Sequence, residues 1–179
     1  MIRRPDIDHM LRAAGDLTGQ TQFVLVGSAA VIAWAPDLPE VMAMTSEIDI
    51  FGTNDDPEET AFELDSVLGQ GSMFHDTHGY FVDGVSPGTA RLPQGWRERA
   101  RVFQTTTGDV SALVPEPDDI AVSKLVRCSD KDLLFLVAGI RHGVFNRSIV
   151  IERSRTLDIA DLGQGTMDDK IKILLGRLT

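Results

Sequence analysis

The sequence has one cysteine, Cys128, among 179 residues, so the chain cannot form an internal disulfide. It has no long apolar run. The longest such segment in the C-terminal half, 133–140, is far too short to span a bilayer, and the opening MIRRPDIDHM lacks the apolar core that a secretory signal requires. The expectation is a soluble, cytoplasmic protein with no membrane partner. Positive charge is also scarce: 17 Lys and Arg against 27 Asp and Glu give a formal net charge of -10. A long nucleic-acid strand would meet overall repulsion unless a local basic patch outweighed it, so the balance favours a small-molecule or protein partner. Internal repeats and low-complexity tracts are absent.

A chain of this length fits one domain and can bury a core. Apolar residues Ile7, Met10, Leu11, Ala14 and Leu17 recur at three- and four-residue steps and predict a helix over 5–17. Residues 23–26 form a short, fully apolar strand expected at the centre of a sheet. A helix follows from Gly27 to Trp34, stopped by Pro36, then a loop over 37–46 and a strand over 47–51. Pro57 opens a helix to Leu68 with Ala61, Leu64 and Leu68 on one face. A strand is predicted over 80–85, a loop over 87–96, and a hairpin of strands 102–106 and 110–114 turning at Thr107-Gly108. Helices are predicted over 117–127, 130–141, near 147–157, and over 167–178, with a flexible DLGQGT stretch at 161–166. The fold class is α+β: a mixed β-sheet flanked by helices, with a core over 1–115 and a C-terminal helical segment, 116–179, packed on it as one compact domain.

Two features in 23–51 carry chemistry. Gly27-Ser28 stands at a strand-to-helix turn, where backbone N–H groups, a hydroxyl and the helix N-terminus can approach phosphate oxygens. Small residues at such junctions are more often packing devices. Glu47 and Asp49 lie two apart in a strand and so share a face, while Ile48 and Ile50 point the other way. Like charges held that close are costly without a cation between them, and Mg²⁺ is the hard, oxygen-seeking ion that carboxylates share with nucleotide phosphates. The plainer reading makes them the solvated face of an edge strand.

A Gly-Ser turn followed by Glu-Ile-Asp-Ile resembles the signature of the DNA polymerase beta-like nucleotidyltransferase superfamily. Within it, the chain is most similar to the small bacterial nucleotidyltransferase-like proteins of the DUF6036 family, related to the AbiEii-type toxins. GYFVDGVSP at 79–87, LPQGWRER at 92–99 and PDDIAVSKLVRCSDKDLLFL at 117–136 extend the resemblance over roughly residues 20–140. It implies a minimal nucleotidyltransferase fold and transfer of a nucleoside monophosphate from an NTP to a hydroxyl acceptor, such as RNA or protein, with Mg²⁺ or Mn²⁺ as cofactor. Carried over by position, Gly27 and Ser28 would hold the triphosphate. Glu47 and Asp49 would bind metal, and Asp83 would be the third catalytic and metal-binding carboxylate. Lys124 and the Lys131-Asp132 pair would complete the nucleotide site, a lysine touching phosphate and the acid orienting it.

The sequence departs from that pattern twice. Glu47 stands where the superfamily usually has Asp, and CSDKD stands where relatives tend to have Gly-Arg-Glu-Lys-Asp, which removes a basic group. These departures keep an alternative function in view: a catalytically degenerate nucleotidyltransferase-fold binding module, such as a toxin-antitoxin component. Elsewhere, His75 and His78 in HDTH are expected in a polar loop rather than a zinc site. Arg97, Arg99 and Arg101 form either a solvated strand entrance or a rim for an RNA end or base. Asp83 could instead stabilise the Gly84 turn, and Cys128 is expected to be an inert, buried thiol.

Overall fold

The computed structural model describes residues 1–35, 37–158, 160, 162 and 165–179. Helix α1, Arg4–Thr18, begins with Pro5 in its first turn and with the Asp6 carboxylate accepting from the Arg3 N–H at 2.8 Å; it ends at Gly19, whose φ of 69° is left-handed. Its stripe of Ile7, Met10, Leu11 and Ala14 is fully buried. Strand β1, Gln22–Leu25, leads into α2, Gly27–Trp34. Nearly every side chain of α2 is apolar, and the helix is accordingly buried among α1, the strand Glu47–Gly52 and the helix Pro117–Arg127.

Five strands form a mixed sheet in the order β3-β2-β1-β5-β4, adding β2, Glu47–Gly52, β3, Phe81–Gly84, β4, Arg101–Gln104, and β5, Ser111–Val114. β1 is central, as its unbroken apolar run requires. It is antiparallel to β2 and parallel to β5, while β2 and β3 run parallel and β4 and β5 form the expected antiparallel hairpin. Helix α4, Pro57–Leu68, covers β2 and β3. It approaches so closely that a Cβ on Gly84 would lie 2.4 Å from the Ala61 carbonyl oxygen.

The C-terminal half is helical: α7, Pro117–Arg127, α8, Asp130–Arg141, α9, Arg147–Ser154, and α10, Met167–Leu178. Phe135, Leu136, Phe145, Val150 and Leu174 from this half join the same buried cluster as Phe23 and Leu25. A buried ionic network ties it further. The Asp119 carboxylate, wholly inaccessible, accepts from Arg99 at 3.0 Å through both oxygens and from Arg153 at 2.8 Å, and Arg153 also reaches Glu116 at 2.6 Å.

Three short helices lie where no helix was expected. Pro39 precedes α3, Glu40–Ala43, which is pinned by the buried Met42. α5, Met73–His78, covers HDTH; the Ser72 hydroxyl caps its start and the left-handed Gly79 its end. α6, Trp96–Arg99, follows Gly95. Single turns such as these carry too few residues for a periodic signal, and α9 also stops at Ser154, short of the expected 157. The proposed stop at Pro36 and part of the 161–166 stretch fall outside the described residues. Among the described residues no helix is long and apolar enough to cross a membrane.

Asp119→Ala is expected to lower stability by roughly 3 kcal/mol, the low end for breaking a buried ion pair because both arginines keep some water. The check is the denaturant midpoint; an unchanged midpoint would show that the network is energetically neutral.

Candidate active site

The strand order brings the carboxylates together. On β2, Ile48 and Ile50 are fully buried, which leaves Glu47 and Asp49 on the opposite face. β3 pairs in parallel with β2 so that Asp83 is the register partner of Asp49. Facing residues of adjacent strands share a face, so all three acidic side chains lie on one face of the sheet. Asp83 and Asp49 thus face each other directly across the two strands. The Gly84 N–H is bonded by Asp65 at 2.7 Å, so Asp83 does not serve that turn.

Gly27 fixes the geometry from the neighbouring strand. The Val26 N–H donates to the Asp49 carbonyl at 2.9 Å, and Gly27 then turns with φ 65°. A Cβ at Gly27 would lie 1.9 Å from Asp49 Oδ2. No side chain larger than hydrogen is compatible with both the backbone and the carboxylate. The glycine thus seats Asp49 as well as opening the turn. Burial, then Glu47 and Asp83, push the Asp49 carboxyl up to about 7. Burial also raises Asp83, helped by Asp65 and Glu47.

Cations stand opposite. Lys124 on α7 is buried, donates to the Ser28 hydroxyl at 3.2 Å and lies over the Phe135 ring at 4.3 Å. Burial holds its pKa below the usual lysine value, against the pull of Asp132. Asp132 is 3.8 Å from Lys124, but its short bonds go to Arg127, at 2.7 and 2.6 Å, and to the Ser129 hydroxyl, at 2.6 Å. Lys131 points to Glu47 at 3.5 Å, an exposed pair of small energetic weight.

A cavity of about 560 Å³ runs between these groups. Among the described residues lining it, five cations, Arg91, Lys124, Arg127, Lys131 and Lys170, face two anions, Glu47 and Asp49. A chain of charge -10 thus carries a locally cationic pocket of the size that holds small ligands. Lys170 on α10 is itself buried, donating to the Val126 carbonyl and to the Leu162 carbonyl at 2.9 Å.

Of the residues singled out from sequence, Gly27, Ser28, Glu47, Asp49, Lys124 and Lys131 line this cavity. Asp83 adjoins it through Asp49, and Asp132 lies behind Arg127 and Lys124. Sequence reasoning missed Arg127, Arg91 and Lys170. Arg127 had a signal, since it falls three residues after Lys124 on one helix face; Arg91 and Lys170 are placed only by tertiary packing. Among the described residues, no group of three or more His, Cys, Asp or Glu side chains is arranged to hold a metal ion as it stands. Glu47 leans to Lys131 instead, while Asp49 and Asp83 face each other in register. The donors still suit a hard cation in kind: Asp49, raised by burial and then by the nearby Glu47 and Asp83 carboxyls, is in the setting that a divalent ion relieves. Mg²⁺ commonly takes only one or two carboxylates beside substrate phosphates.

The other candidates are accounted for elsewhere. Arg99 is consumed by Asp119, Arg97 stacks on Trp96 at 4.5 Å and Arg101 on Trp34 at 4.0 Å, so the three do not form a free basic rim. His75 Nδ1 accepts from the Gly71 N–H at 3.0 Å, and His78 packs against His9 and Phe74. Cys128 is half-buried at a φ of 53°, and burial pushes its thiol up, away from nucleophilic character.

Comparison with known proteins places this chain in a family. Neither the curated proteins nor the solved structures give a match. A family profile described as "nucleotidyltransferase of unknown function (DUF6036)" matches residues 5–157, which include every candidate site residue above except Lys170. The chain belongs to the DUF6036 family of nucleotidyltransferases of unknown function.

Proposed function

We propose that the protein moves a nucleoside monophosphate from an NTP to a hydroxyl acceptor, RNA or protein, with Mg²⁺ or Mn²⁺ bound by Glu47, Asp49 and Asp83. The observation that carries this reading is the Asp49 carboxyl seated on Gly27, coupled to Asp83 and Glu47, in the wall of a cavity otherwise lined by cations. Ser28 and Lys124 hold the phosphates; the lysine is already hydrogen-bonded to that hydroxyl and exchanges part of the contact for a phosphate oxygen. Asp132 steadies the cationic wall from behind. A divalent cation at the carboxylates supplies the positive charge that offsets charge developing around the α-phosphate. Asp83 accepts the acceptor's proton as the new P–O bond forms and the bond to pyrophosphate breaks.

A second reading has its own observation. Lys131 pairs with Glu47, and the carboxylates do not form a ready three-ligand set, which suits a degenerate module that binds a partner without turnover. Mg²⁺-dependent thermal stabilisation by an NTP separates the two, because a ligand bound only by the native state raises its melting temperature. No shift with any of the four NTPs, together with a stable partner in a pull-down, would favour the module.

Asp49→Ala is expected to cut transfer of labelled nucleotide by about 10²-fold or more while leaving the circular dichroism spectrum unchanged, since electrostatic groups dominate such sites. Transfer at the wild-type rate would end the proposal. Gly27→Ala should do similar damage by forcing Asp49 from its seat.

Metal-free stability has a definite sign. Asp49, with an ordinary value of 3.8 and a folded value of about 7, keeps a proton in the folded state that the unfolded chain has released. Stability therefore falls as pH rises through that window and levels off above it. Asp49→Asn should flatten this slope and, in chelator at about pH 8, melt higher than wild type. Equal melting temperatures there would show that Asp49 is not strained.

A further inference from the structure

Arg127 is the last residue of α7, one turn beyond Lys124, and lines the same cavity. Its guanidinium is half committed. Nε and Nη2 donate to the two oxygens of Asp132 at 2.7 and 2.6 Å, and Asp132, fully buried, is in turn held by the Ser129 hydroxyl at 2.6 Å and the Ser129 N–H at 3.3 Å. Nη1 makes no hydrogen bond among the described residues, and the Arg127 side chain is 65% exposed. An ordinary exposed ion pair is worth little, but this one is bidentate and its carboxylate is fully buried. Here the fork is pinned in plane from behind, which leaves its remaining N–H edge ordered and open at the cavity.

A fixed guanidinium edge matches the paired oxygens of a phosphate, and pinning removes the rotamer entropy that a free arginine would lose on binding. Arg127 also adds positive potential where Asp49 and Glu47 sit, and both acidic groups favour its charged form in return. We propose that Arg127 is a phosphate-contacting residue of this site, its guanidinium oriented by Asp132 so that the free edge meets a polyphosphate chain lying on Ser28 and Lys124.

This rests on the reading of the cavity as a nucleotide site. The test uses the full chain with Mg²⁺ and inorganic tripolyphosphate, measured by calorimetry, with an NTP alongside. Arg127→Ala should weaken tripolyphosphate binding roughly ten- to hundredfold, as loss of a charge-assisted contact does. Arg127→Lys should restore only part of it, because charge returns without the fork. In a Lys124→Ala background, Arg127→Ala should weaken binding by a similar further factor. No further loss in that background means that Arg127 only positions Lys124, which overturns the direct contact. A folded Arg127→Ala protein, judged by its melting curve, that binds tripolyphosphate like wild type overturns the proposal and leaves nucleotide transfer standing. A wild-type chain that binds neither tripolyphosphate nor NTP overturns both.

Discussion

The contact between the Asp49 carboxyl and the backbone of Gly27 governs the rest of the site. Oδ2 occupies the space where any other residue would carry a Cβ, while the Val26 N–H holds the Asp49 carbonyl from the same direction. This one approach fixes the spacing between β1 and β2 at their ends, orients the start of α2, and places an acidic group in a setting that disfavours its charge. The neighbouring carboxyls, Glu47 and Asp83, are brought in by strand alternation and by parallel register, with no further device needed.

Charge is arranged so that each sign is uncomfortable alone. Burial lifts the carboxyl on one wall and lowers the Lys124 ammonium on the other. A polyanionic ligand accompanied by a divalent cation would relieve both at once. That opposition is a more specific statement than net charge, which at -10 says only that a long polyanion is repelled at a distance. Behind the cationic wall, Asp132 is a buried polar group whose two oxygens are satisfied by Arg127 and by the exposed Ser129 cap, a requirement for keeping a carboxylate in a core. The Asp119 network does the equivalent task where α6, α7 and α9 meet.

The departures seen in the sequence look different in three dimensions. CSDKD lacks the arginine expected between its cysteine and Asp132, yet Arg127 supplies a guanidinium to the same carboxylate from the preceding helix. Glu47 has one more methylene than Asp, and with it reaches toward Lys131, an exposed pairing of small energetic weight. Both observations concern side chains whose destinations depend on helix packing and not on local pattern.

Sequence by itself determined the elements with enough residues to show a period. α1, α2, α4, α7, α8, α10 and β1, β2, β3 and β5 follow from apolar spacing and from proline and glycine punctuation, and the Glu47/Asp49 face follows from alternation alone. Resemblance added Asp83 and Lys124. Tertiary structure decided what no local pattern encodes: the β3-β2-β1-β5-β4 order that pairs Asp49 with Asp83, the clash that makes Gly27 obligatory, the single-turn helices α3, α5 and α6, and the arrival of Arg91 and Lys170 in the cavity. The physical reason is range. Propensity and periodicity act within one or two turns of chain, whereas pKa shifts, close approaches and cavity walls arise between residues that only the folded core makes neighbours.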